Sequence, residues 1–136
     1  MDSRSASLQE IRPNLNQILE HKGTTEGEWF QNSVLRPILK FQNDLLVAVF
    51  KQYIEKHKGA FFNLNTDGKL VYIENTIQKD VKFRNALKGM VIGQFTLEEY
   101  LRYSSNSSAL NKRMMNMIVE RLKDQIQLLD APLHVL

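Results

Sequence analysis

A chain of 136 residues has room for one domain, and at this length a single core buries enough surface to need no disulfide or structural metal. Hydrophobic residues at 43% and charged residues at 24% exclude a disordered composition. The absence of cysteine excludes disulfides, thiolate nucleophiles and cysteine-based zinc sites, and it suits the cytosol.

The net charge of +3 invites a polyanionic partner, but the charges are dispersed. Up to Thr66 there are eight Lys/Arg against seven Asp/Glu, and beyond it ten against eight. Neither half is a basic domain. The first residues are polar, without the apolar stretch of a secretory leader. The longest apolar run, Leu45 to Phe50, falls far short of the ~20 residues that span a bilayer. These features predict a cytoplasmic protein with no membrane partner.

Residues 1–7 read as a flexible lead. Leu8, Ile11, Leu15, Ile18 and Leu19 recur at helical spacing, with Pro13 in the first turn or at a kink and an end at His21-Lys22-Gly23. Thr25-Glu26-Gly27-Glu28 fits a capping box opening a short helix with Trp29 and Phe30. Asn32 or Ser33 is expected to cap a longer helix, which Pro37 either bends or divides. Its expected core face is Leu35, Ile38, Leu39, Leu45, Leu46, Val49, Tyr53 and Ile54, ending near His57 with Gly59 at the exit.

Ala60 to Leu64 reads as an apolar linker rather than an isolated strand. Asn65-Thr66-Asp67-Gly68 is turn and cap chemistry ahead of a stripe at Leu70, Ile73 and Ile77. A further helix carries Val81, Phe83, Leu87, Met90 and Val91 and closes at Gly93. Thr96-Leu97-Glu98-Glu99 is a second capping box. Ser107 or Ser108 starts the last helix, whose buried face is Leu110, Met114, Met117, Ile118, Leu122, Ile126 and Leu129. Asp130-Ala131-Pro132 stops it, and residues 130–136 form a short apolar tail. The fold expected is all-α: one irregular bundle of about six helices over residues 1–136.

The sequence carries few signatures of chemistry. No phosphate-binding glycine loop and no nucleophile elbow is present, and no cofactor signature is found. His21, His57 and His134 each fall near an element end, where helix-dipole and carbonyl contacts account for them, so no metal site is expected. Glu98 and Glu99 in a first turn favour the helix dipole.

The amides are more informative. Asparagine is a poor interior helix residue, so several of them suggest hydrogen bonds between helices. Gln42, Asn43, Asn111 and Arg113 are the candidate lining of a pocket. Gly89, Gly93, Met115 and Leu133 are the candidate interface with a second copy: small residues admit a close helix, and Met115 points away from the core. Lys79, Arg84, Lys88, Lys112 and Arg113 form a basic set that would serve a weak nucleic-acid binder.

Leu35-Arg36-Pro37-Ile38, Gln42-Asn43-Asp44-Leu45 and Asn106 to Arg113 together resemble a small group of bacterial all-helical proteins of unassigned function, over most of the chain from about Trp29. Some members carry a glyoxalase label. Glyoxalases are built on βαβββ units or need a His-x-His-x-Asp-His motif, and neither is present in this sequence. The resemblance implies a helical fold and no transferable active site.

The leading expectation is a self-associating, non-enzymatic helical binding module. The alternatives are a small enzyme or ligand-binding protein with an amide-lined pocket, and a weak nucleic-acid binder.

Overall fold

The structure, a computed structural model, describes residues 2–12 and 25–130. It is all-α, with no β-strand among the described residues. In chain order the helices are α1 (Ser3–Ile11), α2 (Glu26–Phe30), α3 (Arg36–Phe41), α4 (Asn43–Lys56), α5 (Thr66–Lys79), α6 (Val81–Ile92), α7 (Leu97–Ser104), α8 (Ser107–Asp124) and α9 (Ile126–Leu129). About six was therefore an approximate count, because short segments sit beside the long ones.

Most boundaries follow from caps. Thr25 accepts from the Glu28 amide, Asn65 from Gly68 and Asp80 from Phe83, each satisfying a free first-turn N–H. Thr96 and Glu99 form the full reciprocal box of α7. Helix α4 ends at His57, where Lys58 (φ 62°) and Gly59 (φ 66°) are both left-handed and the Gly59 amide donates to the Ile54 carbonyl.

Several expectations change. Residues 3–7, expected to be a flexible lead, are the first turns of α1, with Asp2 as the cap and Ser5 buried. The expected continuation through Leu15, Ile18 and Leu19, with Pro13 and His21, lies outside the described residues. Asn32 and Ser33 cap nothing, because the chain runs from α2 into α3 through a π-turn at Gln31–Leu35. There the Arg36 amide donates to the Gln31 carbonyl. This wider turn precedes Pro37, which has no N–H and would crowd a regular α-turn. Pro37 therefore neither caps nor divides the helix; the break comes at Gln42 (φ −88°, ψ 2°).

That break rotates the face of α4. Leu46, Val47, Phe50 and Ile54 are buried, whereas Leu45 is 50% exposed and Val49 and Tyr53 are partly covered. Ala60–Asn63, expected to be a linker, is a 3-10 helix that inserts Phe61 into the core. The last helix is interrupted at Gln125, leaving α9 as a separate turn that seats Leu129.

One contiguous apolar cluster runs from Phe30 to Leu129. Phe50 is ringed by Tyr53, Tyr72 and Phe83, with centroids about 6 Å apart. Helix α8 is the hub: it touches α2, the π-turn, α5, α6 and α7. Leu110, Met114, Ile118 and Leu122 face the core, so the rest of its circumference forms walls for clefts on either side.

Candidate functional site: two cationic clefts flanking one helix

The π-turn, α3 and α8 enclose a cleft of about 630 Å³. Gln31, Arg36, Arg113, Asn116, Glu120, Arg121, Asp124 and Gln125 line it above Leu39 and Met117. Its three arginines are held by neutral amides. Arg113 donates to Gln31 Oε1 at 2.8 Å, Arg36 to Asn32 Oδ1 at 3.1 Å, and Arg121 to Asn43 Oδ1 at 3.4 Å. None of the three forms an ion pair with a carboxylate among the described residues.

Burial lowers the Arg121 pKa from its ordinary value, and repulsion from Arg36 lowers it further against the opposing pull of Asp124. Like charges have thus been brought together with acids nearby but with no ion pair to them among the described residues. Gly27 matters here: a Cβ at that position would lie 2.9 Å from Arg113 Nε, so its bare backbone is what lets the guanidinium lie across α2.

On the other flank of α8 a smaller cleft, about 370 Å³, is lined by Gln78 of α5, Arg84 and Lys88 of α6, and Asn111, Lys112, Met115 and Asn116 of α8. No carboxylate among the described residues lines it. Arg84 is fixed by donating to the Gln78 carbonyl at 2.7 Å. Lys88 and Lys112 have no ion pair or hydrogen bond among the described residues.

The expected pocket residues do not converge. Only Arg113 lines the larger cleft. Gln42 donates to the Met90 carbonyl at 3.1 Å and bolts the break before α4 to α6. Asn43 makes a reciprocal amide pair with Gln125, at 2.8 and 2.7 Å, joining the start of α4 to the end of α8. Asn111 accepts from the Tyr103 hydroxyl at 2.6 Å and lines the smaller cleft.

Of the expected interface residues, Gly89 lies in α6, Gly93 at its end and Met115 on α8. Gly89 and Gly93 are exposed: among the described residues nothing lies within 4 Å of a Cβ at Gly89, and at Gly93 the nearest atom to a Cβ is the Gly89 carbonyl, while its own carbonyl accepts from Arg4 of α1. Met115 packs against the core instead of pointing away. Leu133 lies outside the described residues.

Of the basic set, Arg84, Lys88 and Lys112 do share a cleft. Arg113 lies in the neighbouring one, and Lys79 borders a separate groove beside Tyr53 and Val71. Sequence reasoning missed Arg36, Arg121 and Gln31. Arg113, Asn116, Glu120, Asp124 and Met117 follow helical spacing, a signal that could have marked one wall.

His57 receives the carbonyl contact expected of it, Nδ1 to the Tyr53 oxygen at 2.8 Å, and stacks on the Tyr53 ring. No group of three or more metal-ligating side chains forms among the described residues, and His21 and His134 lie outside them. No described helix is long and apolar enough to cross a membrane. No family model, no curated protein and no solved structure matches the chain.

Proposed function

We propose that this chain is a non-catalytic helical binding module that holds an anionic ligand in the larger cleft. The observation that carries the reading is the set of three arginines, Arg36, Arg113 and Arg121, lining one cleft with amide partners and no ion pair. A guanidinium held by an amide oxygen keeps N–H groups free in a fixed fork, the geometry that grips phosphate or carboxylate. Among the described residues the cleft lining holds no cysteine, histidine, serine or tyrosine, and its two carboxylates, Glu120 and Asp124, stand among three arginines.

Titration with inorganic phosphate, followed by calorimetry, tests this. Arg113→Ala should weaken binding about tenfold or more, the usual value of a hydrogen bond to a charged group. Gly27→Ala should also weaken binding, by displacing the Arg113 guanidinium, while helix propensity leaves stability unchanged or raised by up to ~1 kcal/mol. Equal binding by wild type and both variants would sink the reading.

Self-association is the second reading. Leu97, Tyr100 and Leu101 lie on one face of α7 and are 56%, 47% and 68% exposed. This face adds to the exposed glycine pair as surface offered to a second copy. Sedimentation should show a dimer that Leu101→Glu dissociates; a monomer at tens of micromolar ends the idea.

A further inference from the structure

The two clefts share a wall. Taking about 100° per residue around α8, Lys112 and Arg113 stand about 100° apart, and Asn116 falls between them, about 40° from Lys112. Asn116 borders both clefts and is exposed, so it forms the ridge between them. Six cationic side chains face the two clefts against two carboxylates, Glu120 and Asp124, which is a larger local excess than the +3 of the whole chain. The dispersed charge of the sequence is therefore gathered by the fold onto the two flanks of one helix.

We propose that the two clefts bind one small ligand carrying two phosphate-class anionic groups, one among Arg36, Arg113 and Arg121, the other among Arg84, Lys88 and Lys112, with its spacer crossing α8 at Asn116. The proposal rests on the anion-binding reading of the larger cleft and extends it to a second subsite. The smaller cleft suits an anion in its own right: among the described residues it has three cations, no acid, and two lysines whose side chains have no partner. Arg84 is already oriented by the Gln78 carbonyl, so it gives up little freedom on binding. Among the described residues neither lining contains an aromatic ring. Single-stranded nucleic acid is gripped by stacking bases on such rings, and their absence from the lining favours a small molecule.

The test is calorimetric titration of the full chain with methylphosphonate and with a series of alkane bisphosphonates of increasing spacer length. A matched spacer turns the second contact into an intramolecular event, so one length should bind about a hundredfold tighter than methylphosphonate. A Lys88→Ala/Lys112→Ala variant, checked for retained helicity, should bind that bisphosphonate no better than methylphosphonate, while its Arg113-dependent methylphosphonate binding is unchanged. If methylphosphonate binds through Arg113 but no spacer length improves on it, the bridging proposal is wrong and the single-cleft reading stands. If methylphosphonate does not bind at all, both fall. A deoxythymidine oligomer that outcompetes the best bisphosphonate would overturn the small-molecule assignment in favour of nucleic acid.

Discussion

Tyr53 holds its phenolic proton to about pH 12, against an ordinary value of 10.0. Burial is the larger cause, followed by its hydrogen bond to Asp80 Oδ2 at 2.9 Å and the repulsion a phenolate would feel from that carboxylate. Below pH 10 both folded and unfolded chains keep the proton. Between 10 and 12 only the folded chain does, so ionisation favours unfolding and stability falls across that window. Urea titrations from pH 9 to 12 should show this loss in the wild type and a shallower one in Tyr53→Phe. The other oxygen of Asp80 caps α6 at Phe83, so one carboxylate ties α4 to the start of α6. At this scale the sequence marked the right residue types but not their partners. Amides such as Gln42 and Asn43 could be picked out because asparagine and glutamine on helices ask for acceptors and donors. Their partners, Met90 and Gln125, are 48 and 82 positions away.

Helix ends were the most legible elements, since a cap is a local contract between residues three apart. Thr96 with Glu99, Asn65 with Gly68, and the exit at Gly59 are set by chemistry that does not depend on the rest of the fold. The exit also carries a cost that sequence spacing does not show. Lys58 is left-handed as well as Gly59, and a Cβ in that conformation costs roughly 1–2 kcal/mol. Lys58→Gly should therefore stabilise the protein by about 1 kcal/mol in chemical denaturation, less whatever entropy the unfolded chain gains. Helix faces were less legible than ends. The break at Gln42 resets the phase of α4, so a stripe counted through it put Leu45 inside and left out Val47 and Phe50. The π-turn before Pro37 decides between alternatives the sequence leaves open: the chain runs on from α2 into α3 without dividing at the proline, although proline usually marks a boundary.

For the molecule as a whole, the most consequential contacts join distant segments. Arg12 forks onto Glu99, at 2.6 and 3.0 Å, and donates to the Gln94 carbonyl; Arg4 donates to the carbonyls of Phe95 and Gly93. The Leu97 amide donates to Ser5 Oγ in the same seam. Glu99 thus does more than favour a helix dipole: the same carboxylate closes the α7 capping box and docks α1. With the Arg12 and Glu99 side chains only 11% and 13% exposed, removing one partner leaves the other nearly buried. Arg12→Ala should cost about 3 kcal/mol of unfolding free energy. Arg12→Lys should recover little, because an ammonium cannot span both carboxylate oxygens.

By itself the sequence determined the fold class, the positions of most helix ends and the apolar stripe of α8, because helix formation and capping depend on residues within one or two turns of each other. It also determined that cysteine chemistry is absent. Tertiary structure decided which cations share a cleft, which amides they lean on, and that Gly89 has open space before it and Gly93 offers its carbonyl to Arg4 while Gly27 makes way for Arg113. Those outcomes depend on how helices far apart in the chain are placed around α8. The net charge of +3 sets how much positive charge there is; only the packing of α3, α5 and α6 against α8 sets where it collects.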